Sequence, residues 1–282
     1  MDELLQIKET VVDAGLKKEY KFFQISDMHM SFVDKESSLV DIKERERSLD
    51  QWTSMKRDYA ERFGEFCDDR YDIESNLIFE ALVDFALTKK PDALIFSGDI
   101  IDRVTESNLR YLRSFLSTYP IPVIYCPGNH AWTDEYGNFR NMYSRFSDII
   151  KNPAFDVYDF GEFEIVTVDN GRKEITEYQL ERMRAEIESG KKIVLVLHAP
   201  LNLYEFGAET GKILDPYFLM GSEGDSENAF EFVRLVKEND SHFICVLAGH
   251  IHAAQEYKIT PNLMQITTSS GLIGAGRQII IK

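Results

Sequence analysis

The chain has 282 residues, 44% of them hydrophobic, and a formal net charge of −16 spread along its length. That apolar fraction is ample for a packed core and excludes a disordered or fibrous chain. The dispersed acidic charge argues against a protein held on duplex nucleic acid or on an anionic membrane. No apolar run approaches the length that crosses a bilayer, and no secretory leader pattern opens the chain, so a soluble, cytoplasmic setting is expected.

Residues 1–19 are polar and mixed, with at most a short helix or edge strand. Tyr20–Ile25 is the first core strand and runs into Ser26-Asp27-Met28-His29. Asp27 and His29 are two apart, so an extended backbone would send both side chains the same way. From Asp34 to Phe66 the apolar residues Leu49, Trp52, Met55, Tyr59, Phe63 and Phe66 recur at helical spacing. They predict a long amphipathic helix, or two, inserted at about 34–70. Its face either packs on the body of the domain or leans over a site as a cap, with Arg45, Arg47 or Arg57 reaching an anionic substrate. A second helix from Ile73 to Thr88 turns Leu77, Ile78, Ala81, Leu82 and Phe85 toward the sheet.

Ala93-Leu94-Ile95-Phe96 reads as a strand buried on both faces, and it runs into Ser97-Gly98-Asp99. Asp99 thus stands at the carboxyl edge, where open α/β sheets bind ligands. Asp102 and Arg103 follow, then a helix through Leu109, Leu112, Phe115 and Leu116. Strand Ile121–Cys126 delivers Gly128-Asn129-His130, and Phe139–Lys151 looks helical. Phe163–Val168 is a strand turned by Asp169-Asn170-Gly171. Thr176 with Gln179 three residues on fits a capping box for the helix through Leu180, Met183 and Ile187. Strand Lys192–Leu197 carries His198 on its tip. The long loop at about 201–225 lacks periodicity, and such loops are usually functional. Ser226 caps a helix through Ala229, Val233 and Val236, and strand Phe243–Leu247 delivers Gly249-His250-Ile251-His252. Strands Gln255–Ile259, Met264–Thr268 and Arg277–Ile281 complete the chain. With no repeat and no linker, one domain over 1–282 is the economical reading. Cys67, Cys126 and Cys245 form no C-x-x-C pair, and the last two read as small buried hydrophobes.

Of six histidines, His29, His130, His198, His250 and His252 sit at or just past strand ends, and only His242 does not. Surface chance would scatter them. With Asp27, Asp99 and Asn129 they supply enough nitrogen and oxygen ligands for two metal ions. Such a mixed set without thiolate suits two divalent or trivalent ions, Mn, Fe or Zn. Two ions about 3.5–4 Å apart could clamp a nucleophilic hydroxide and stabilise an in-line displacement at phosphorus, with Asp99 the best-placed bridge.

The ordered pattern D-x-H, G-D-x-x-D-R, G-N-H, H and G-H-x-H resembles the calcineurin-like metallophosphoesterase family, over about Tyr20 to Tyr257. The resemblance implies a four-layer α/β/β/α sandwich, in which the helical insertion after the first core strand and the loop after His198 are departures from the family pattern. It implies that Asp27, His29 and His252 hold one metal, that Asn129, His198 and His250 hold the other, and that Asp99 bridges. It further implies His130 as general acid, Asp102 as its orienting carboxylate and Arg103 as a phosphate-binding arginine. Ala131 departs from the family's usual acidic residue after G-N-H, which leaves Asp102 as the partner for His130. The expected activity is metal-dependent hydrolysis of a small phosphorylated substrate, a phosphodiester or phosphomonoester, nucleotide-like included. The alternative is a non-catalytic scaffold that keeps the fold. No duplex nucleic acid or membrane partner is expected.

Overall fold

In the computed structural model, which describes residues 5–63, 72–202 and 218–282, the apolar strands face two ways and build two sheets. The first contains β1 (Gln6–Val12), β2 (Tyr20–Ile25), β3 (Ala93–Ser97), β4 (Val123–Cys126) and β11 (Ala275–Ile281), in the order β1-β11-β2-β3-β4. The second contains β5 (Phe155–Asp159), β6 (Phe163–Val168), β7 (Lys192–Val196), β8 (Phe243–Ala248), β9 (Gln255–Lys258) and β10 (Met264–Thr267), in the order β5-β6-β7-β8-β10-β9. Alternation decides which residues meet. Phe22, Ile95 and Ile124 face Ile165, Val194 and Cys245 between the sheets. Phe23, Leu94 and Phe96 point outward to α2 (Ser75–Thr88) and α3 (Glu106–Thr118). Val166, Leu195 and Phe243 point outward on the other side, to α4 (Glu177–Glu188) and α5 (Glu227–Glu238). The result is the expected four-layer α/β/β/α sandwich.

β2, β3 and β4 run parallel, as do β6, β7, β8 and β10. Parallel strands put their carboxyl ends on one edge, which gathers the polar tips. Each buried Phe, Ile or Leu contributes about 1.5–3 kcal/mol. This frame is strong enough to hold strained backbone at its rim.

Local signals were reliable. Thr176 and Gln179 form the capping box of α4, and the Ser226 side chain caps α5. Residues 1–19 supply β1, which pairs with β11 on one side only. Cys126 and Cys245 are buried free thiols, Cys245 pushed by burial up to about 12. Cys67 and most of the 201–225 loop lie outside the described residues.

Three expectations are corrected. Helix α1 (Leu39–Phe63) forms, but its buried face is Asp41, Glu44, Ser48, Trp52 and Lys56. These recur every three or four residues and are mostly polar: Glu44 takes Arg103 and Lys56 donates to the Ile73 carbonyl, while Trp52 stacks on His29 and packs on Leu272, Ile273 and Ala275. Of the expected stripe, Leu49 is half-buried and Met55 exposed. The side chains of Tyr59 and Phe63, and all of Phe66, lie outside the described residues. In α2 it is Phe79, Val83 and Ala86 that join Ile78 and Leu82 in the core, while Leu77 is exposed. Phe139–Lys151 holds one 3-10 turn, Tyr143–Arg145, among bends instead of a helix. Met142, Phe146 and Ile150 are buried at helical spacing. However, Asn141 Oδ1 accepts from the Tyr143 N–H at 2.9 Å and the Ser147 hydroxyl donates to the Ser144 carbonyl at 3.0 Å. Such local bonds compete with a helix. Strand β5, an edge strand with aspartates at both Asp156 and Asp159, carried no clear apolar run and was not anticipated. Among the described residues no helix is long and apolar enough to cross a membrane.

Candidate metal centre

The turns after β2 and β3 are laced together by backbone. The N–H groups of Asp27, His29 and Met30 donate to the carbonyls of Gly98, Asp99 and Ile100 at 3.0, 2.9 and 3.0 Å. The His250 N–H reaches the Asp27 carboxylate at 2.9 Å, and the Gly249 N–H reaches the His198 carbonyl at 3.0 Å. Contrary to the extended geometry expected of D-x-H and H-x-H, Asp27, His29, Asp99, His250 and His252 all take left-handed φ angles of 54°, 45°, 51°, 68° and 52°. Residues with a Cβ rarely adopt this conformation, and it concentrates at functional sites. Close approach explains two glycines: a Cβ on Gly98 would lie 2.0 Å from His198 Nδ1, and one on Gly128 2.2 Å from Asp99 Oδ1.

The side chains converge in two groups of potential ligands, Asp27 with His29 and His252, and Asp99 with His198 and His250, the ligand atoms of each within 4.8 Å of one another. In the first, His252 Nε2 is 3.4 Å from both His29 Nε2 and Asp27 Oδ1. In the second, His198 Nε2 lies 3.0 Å from His250 Nδ1, 3.1 Å from Asp99 Oδ2 and 3.0 Å from Asn129 Oδ1. The other ring nitrogen of His198 faces the Ser97 carbonyl at 2.9 Å, a bond that places a proton on Nδ1 and leaves the Nε2 lone pair for the cluster. A third group, His29 with Asp102 and His130, shares His29. All ten residues singled out by sequence are close to one rim, but Arg103 is engaged elsewhere: its guanidinium donates to buried Glu44 at 2.7 Å.

Burial alone would raise the Asp27 and Asp99 carboxyls, but neighbouring histidines pull both below the usual carboxylate range. Burial lowers the His29 and His250 imidazoles to about 4 and about 3, aided by His130 and His198 respectively. Ionised carboxylate beside neutral imidazole is the state a metal ion requires. His198 and His130 are the exceptions; burial would lower each, but Asp99 and its neighbours hold both up at about 9. Among the described residues no lysine or arginine forms an ion pair with Asp27 or Asp99, whose only ionic neighbours within range are imidazoles. Buried carboxylates are costly without a compensating cation. Nitrogen and oxygen donors with no thiolate fit divalent ions of the Mn, Fe or Zn type.

His130 flanks both groups. Its backbone N–H donates to Asp99 Oδ1 at 2.9 Å. Its ring Nδ1 is 3.0 Å from Asp102 Oδ1 and 2.6 Å from the Asp102 carbonyl, and Nε2 is 4.0 Å from Asp99 Oδ2. Helix α1 does lean over the rim, with Trp52 stacked on His29 at 3.8 Å between ring centroids. Its arginines meet carboxylates: Arg45 meets Glu74, Arg47 meets Glu44 and Asp102, and Arg57 meets Asp72.

Two contributors went unread in the sequence. Trp52 looked like an ordinary core residue of an amphipathic helix. Asn170 looked like a turn former, yet it is fully buried, and its Oδ1 accepts from the His198 and Ala199 N–H groups at 2.9 and 3.0 Å while Nδ2 donates to the Ala199 carbonyl at 2.7 Å. It aims the backbone that carries His198. Asn170→Ala is therefore expected to weaken Mn²⁺ binding by about 10–100-fold, the usual cost of losing an outer support of a ligand, as measured by calorimetric titration. An unchanged affinity would show that the β7 tip holds its shape without the amide.

A model of the family described as calcineurin-like phosphoesterase matches residues 20–254. The chain belongs to that family. Two bacterial relatives are similar over part of the phosphoesterase chain. One is a probable cyclic nucleotide phosphodiesterase of Rhodococcus erythropolis, 29% identical over 122 residues that cover 39% of this chain and 39% of the relative. The other is a probable cyclic nucleotide phosphodiesterase of Coxiella burnetii, 27% identical over 180 residues that cover 62% of this chain and 64% of the relative. The chain thus matches less than two thirds of either relative's length. Among solved structures, a dimetal phosphatase from Danio rerio superposes with a TM-score of 0.57 at 14% identity, over 90% of this chain and 88% of that chain. That likeness speaks to the shared fold.

Proposed function

We propose that this protein is a metal-dependent hydrolase that cleaves a small phosphodiester of nucleotide type, with cyclic nucleotides first among the candidates. The observation that carries the reading is the convergence of two His/Asp ligand groups beside a His130–Asp102 pair on one rim. The names of the two bacterial relatives favour the diester over the monoester. In this reading Asp27, His29 and His252 would hold one ion, Asn129, His198 and His250 would hold the second, and Asp99 would serve as their shared ligand. Bound ions would supply Lewis acidity toward the phosphoryl oxygens and activation of the attacking water. His130, held at Nδ1 by Asp102, donates a proton from Nε2 to the departing oxygen, and Asp102 stabilises the imidazolium that precedes the transfer. Arg103 would contact a phosphate only by releasing Glu44. The non-catalytic alternative has nothing on its side here, since all seven expected ligands are present.

The test is metal analysis followed by a substrate panel. The Mn²⁺-loaded protein is expected to bind two ions per chain and to convert a cyclic nucleotide to the linear monophosphate faster than it hydrolyses monophosphates. Two bound ions with monoesters as the preferred substrates would replace the diesterase assignment. No bound ions and no turnover would sink the enzyme reading.

A further inference from the structure

The buried face of α1 ends on Asp102. Oδ1 of that fully buried carboxylate accepts from Trp52 Nε1 at 2.8 Å and lies 3.0 Å from His130 Nδ1. Oδ2 accepts from Arg47. The Arg47 Nε is itself gripped by both oxygens of Glu44, at 2.9 and 3.0 Å, and Glu44 also takes Arg103. Trp52 and Glu44 are each 4% exposed. Apart from the imidazoles, every side-chain donor to this carboxylate among the described residues comes from α1.

A carboxylate turns about its Cβ–Cγ bond, and imidazoles on one oxygen alone, His130 at 3.0 Å and His29 at 3.6 Å from Oδ1, do not stop it. Donors on both oxygens do. We propose that Trp52 and Arg47 are positioning residues of the hydrolytic reaction: from a helix outside the strand frame, they lock the plane of Asp102, so that its carboxylate, 3.0 Å from His130 Nδ1, joins the Asp102 carbonyl, 2.6 Å from the same nitrogen, in holding the ring with Nε2 toward the leaving oxygen. This inference rests on the reading of His130 as proton donor. It also gives α1 a role other than covering the site or offering arginines to phosphate.

The test compares Trp52→Phe, Arg47→Met and Arg47→Lys with His130→Ala on two phosphodiesters that differ only in the leaving group, a 4-nitrophenyl and a phenyl ester. Trp52→Phe keeps the ring on His29 and removes only the indole N–H. Arg47→Lys keeps the charge and one donor. Trp52→Phe and Arg47→Met are expected to lose roughly tenfold more activity on the phenyl ester than on the nitrophenyl ester, with Arg47→Lys restoring part of the difference and two ions per chain retained throughout. In the Zn²⁺-loaded, ¹⁵N-histidine-labelled protein, the His130 Nδ1–H resonance should broaden in Trp52→Phe and Arg47→Met and recover in Arg47→Lys. Equal losses on both esters, with His130→Ala still selective, would overturn the positioning role. If His130→Ala is itself unselective, the proton-donor reading fails first and takes this proposal with it. Loss of a metal ion in Trp52→Phe would assign the tryptophan to His29 instead. Should Arg47→Met not fold, the Arg47→Lys and Trp52→Phe comparison decides alone.

Discussion

Asp99→Asn should lower turnover of an aryl phosphodiester in Mn²⁺ by roughly 10²–10³-fold or more, since several kcal/mol of charge stabilisation depend on the metal pair. The substitution barely changes size, so packing is not at issue. What it changes is charge and donor pattern. Asp99 Oδ1 accepts from the His130 N–H at 2.9 Å, and Oδ2 sits 3.1 Å from His198 Nε2. An amide must turn its NH₂ toward one of these, so either the His130 N–H loses its acceptor or the second ligand group loses a carboxylate oxygen. The measurement is turnover together with metal content, which is expected to fall from two ions toward one. Retained turnover with two ions bound would refute the bridging role.

His130→Ala is expected to behave differently. Its side chain anchors no ion in the proposed scheme, so metal content should hold at two per chain. The loss should be roughly 10²–10⁴-fold on a phosphodiester with a poor leaving group and much smaller on a 4-nitrophenyl ester, whose departing oxygen needs no proton. Together the two variants separate the functions of neighbouring residues: one changes metal binding and all substrates alike, the other spares metal and discriminates among leaving groups. Equal losses across leaving groups would count against His130 as the acid.

The sequence made legible whatever was local or repeated. Strands ending in Asp, Asn or His could be read because a parallel sheet collects their tips on one edge, and the family match over 20–254 agrees with that reading. The capping box at Thr176 needed only three residues of context. What failed was non-local. The stripe Leu49, Trp52, Met55 is a sound helical pattern and Trp52 is buried on apolar neighbours, but α1 also buries Glu44 and Lys56, whose partners Arg103 and the Ile73 carbonyl lie far along the chain and which no periodicity announces. Asn170 was indistinguishable from a turn residue until the His198 backbone was seen to lie on it. The D-x-H and H-x-H pairs do lie at one rim, but left-handed turns, rather than the expected extended strand, set their side chains.

Those turns have a consequence for how the protein can change. Five residues with a Cβ are bent into the left-handed well at one rim, each at a cost of about 1–3 kcal/mol. The rim is thus a wound spring held shut by the sandwich beneath it. Exchanging one of the five for glycine would relieve that local strain but would also remove a ligand side chain and, at Asp27 or Asp99, the acceptor of the His250 or His130 N–H. Keeping the ligands means that the rest of the chain must go on resisting that pull.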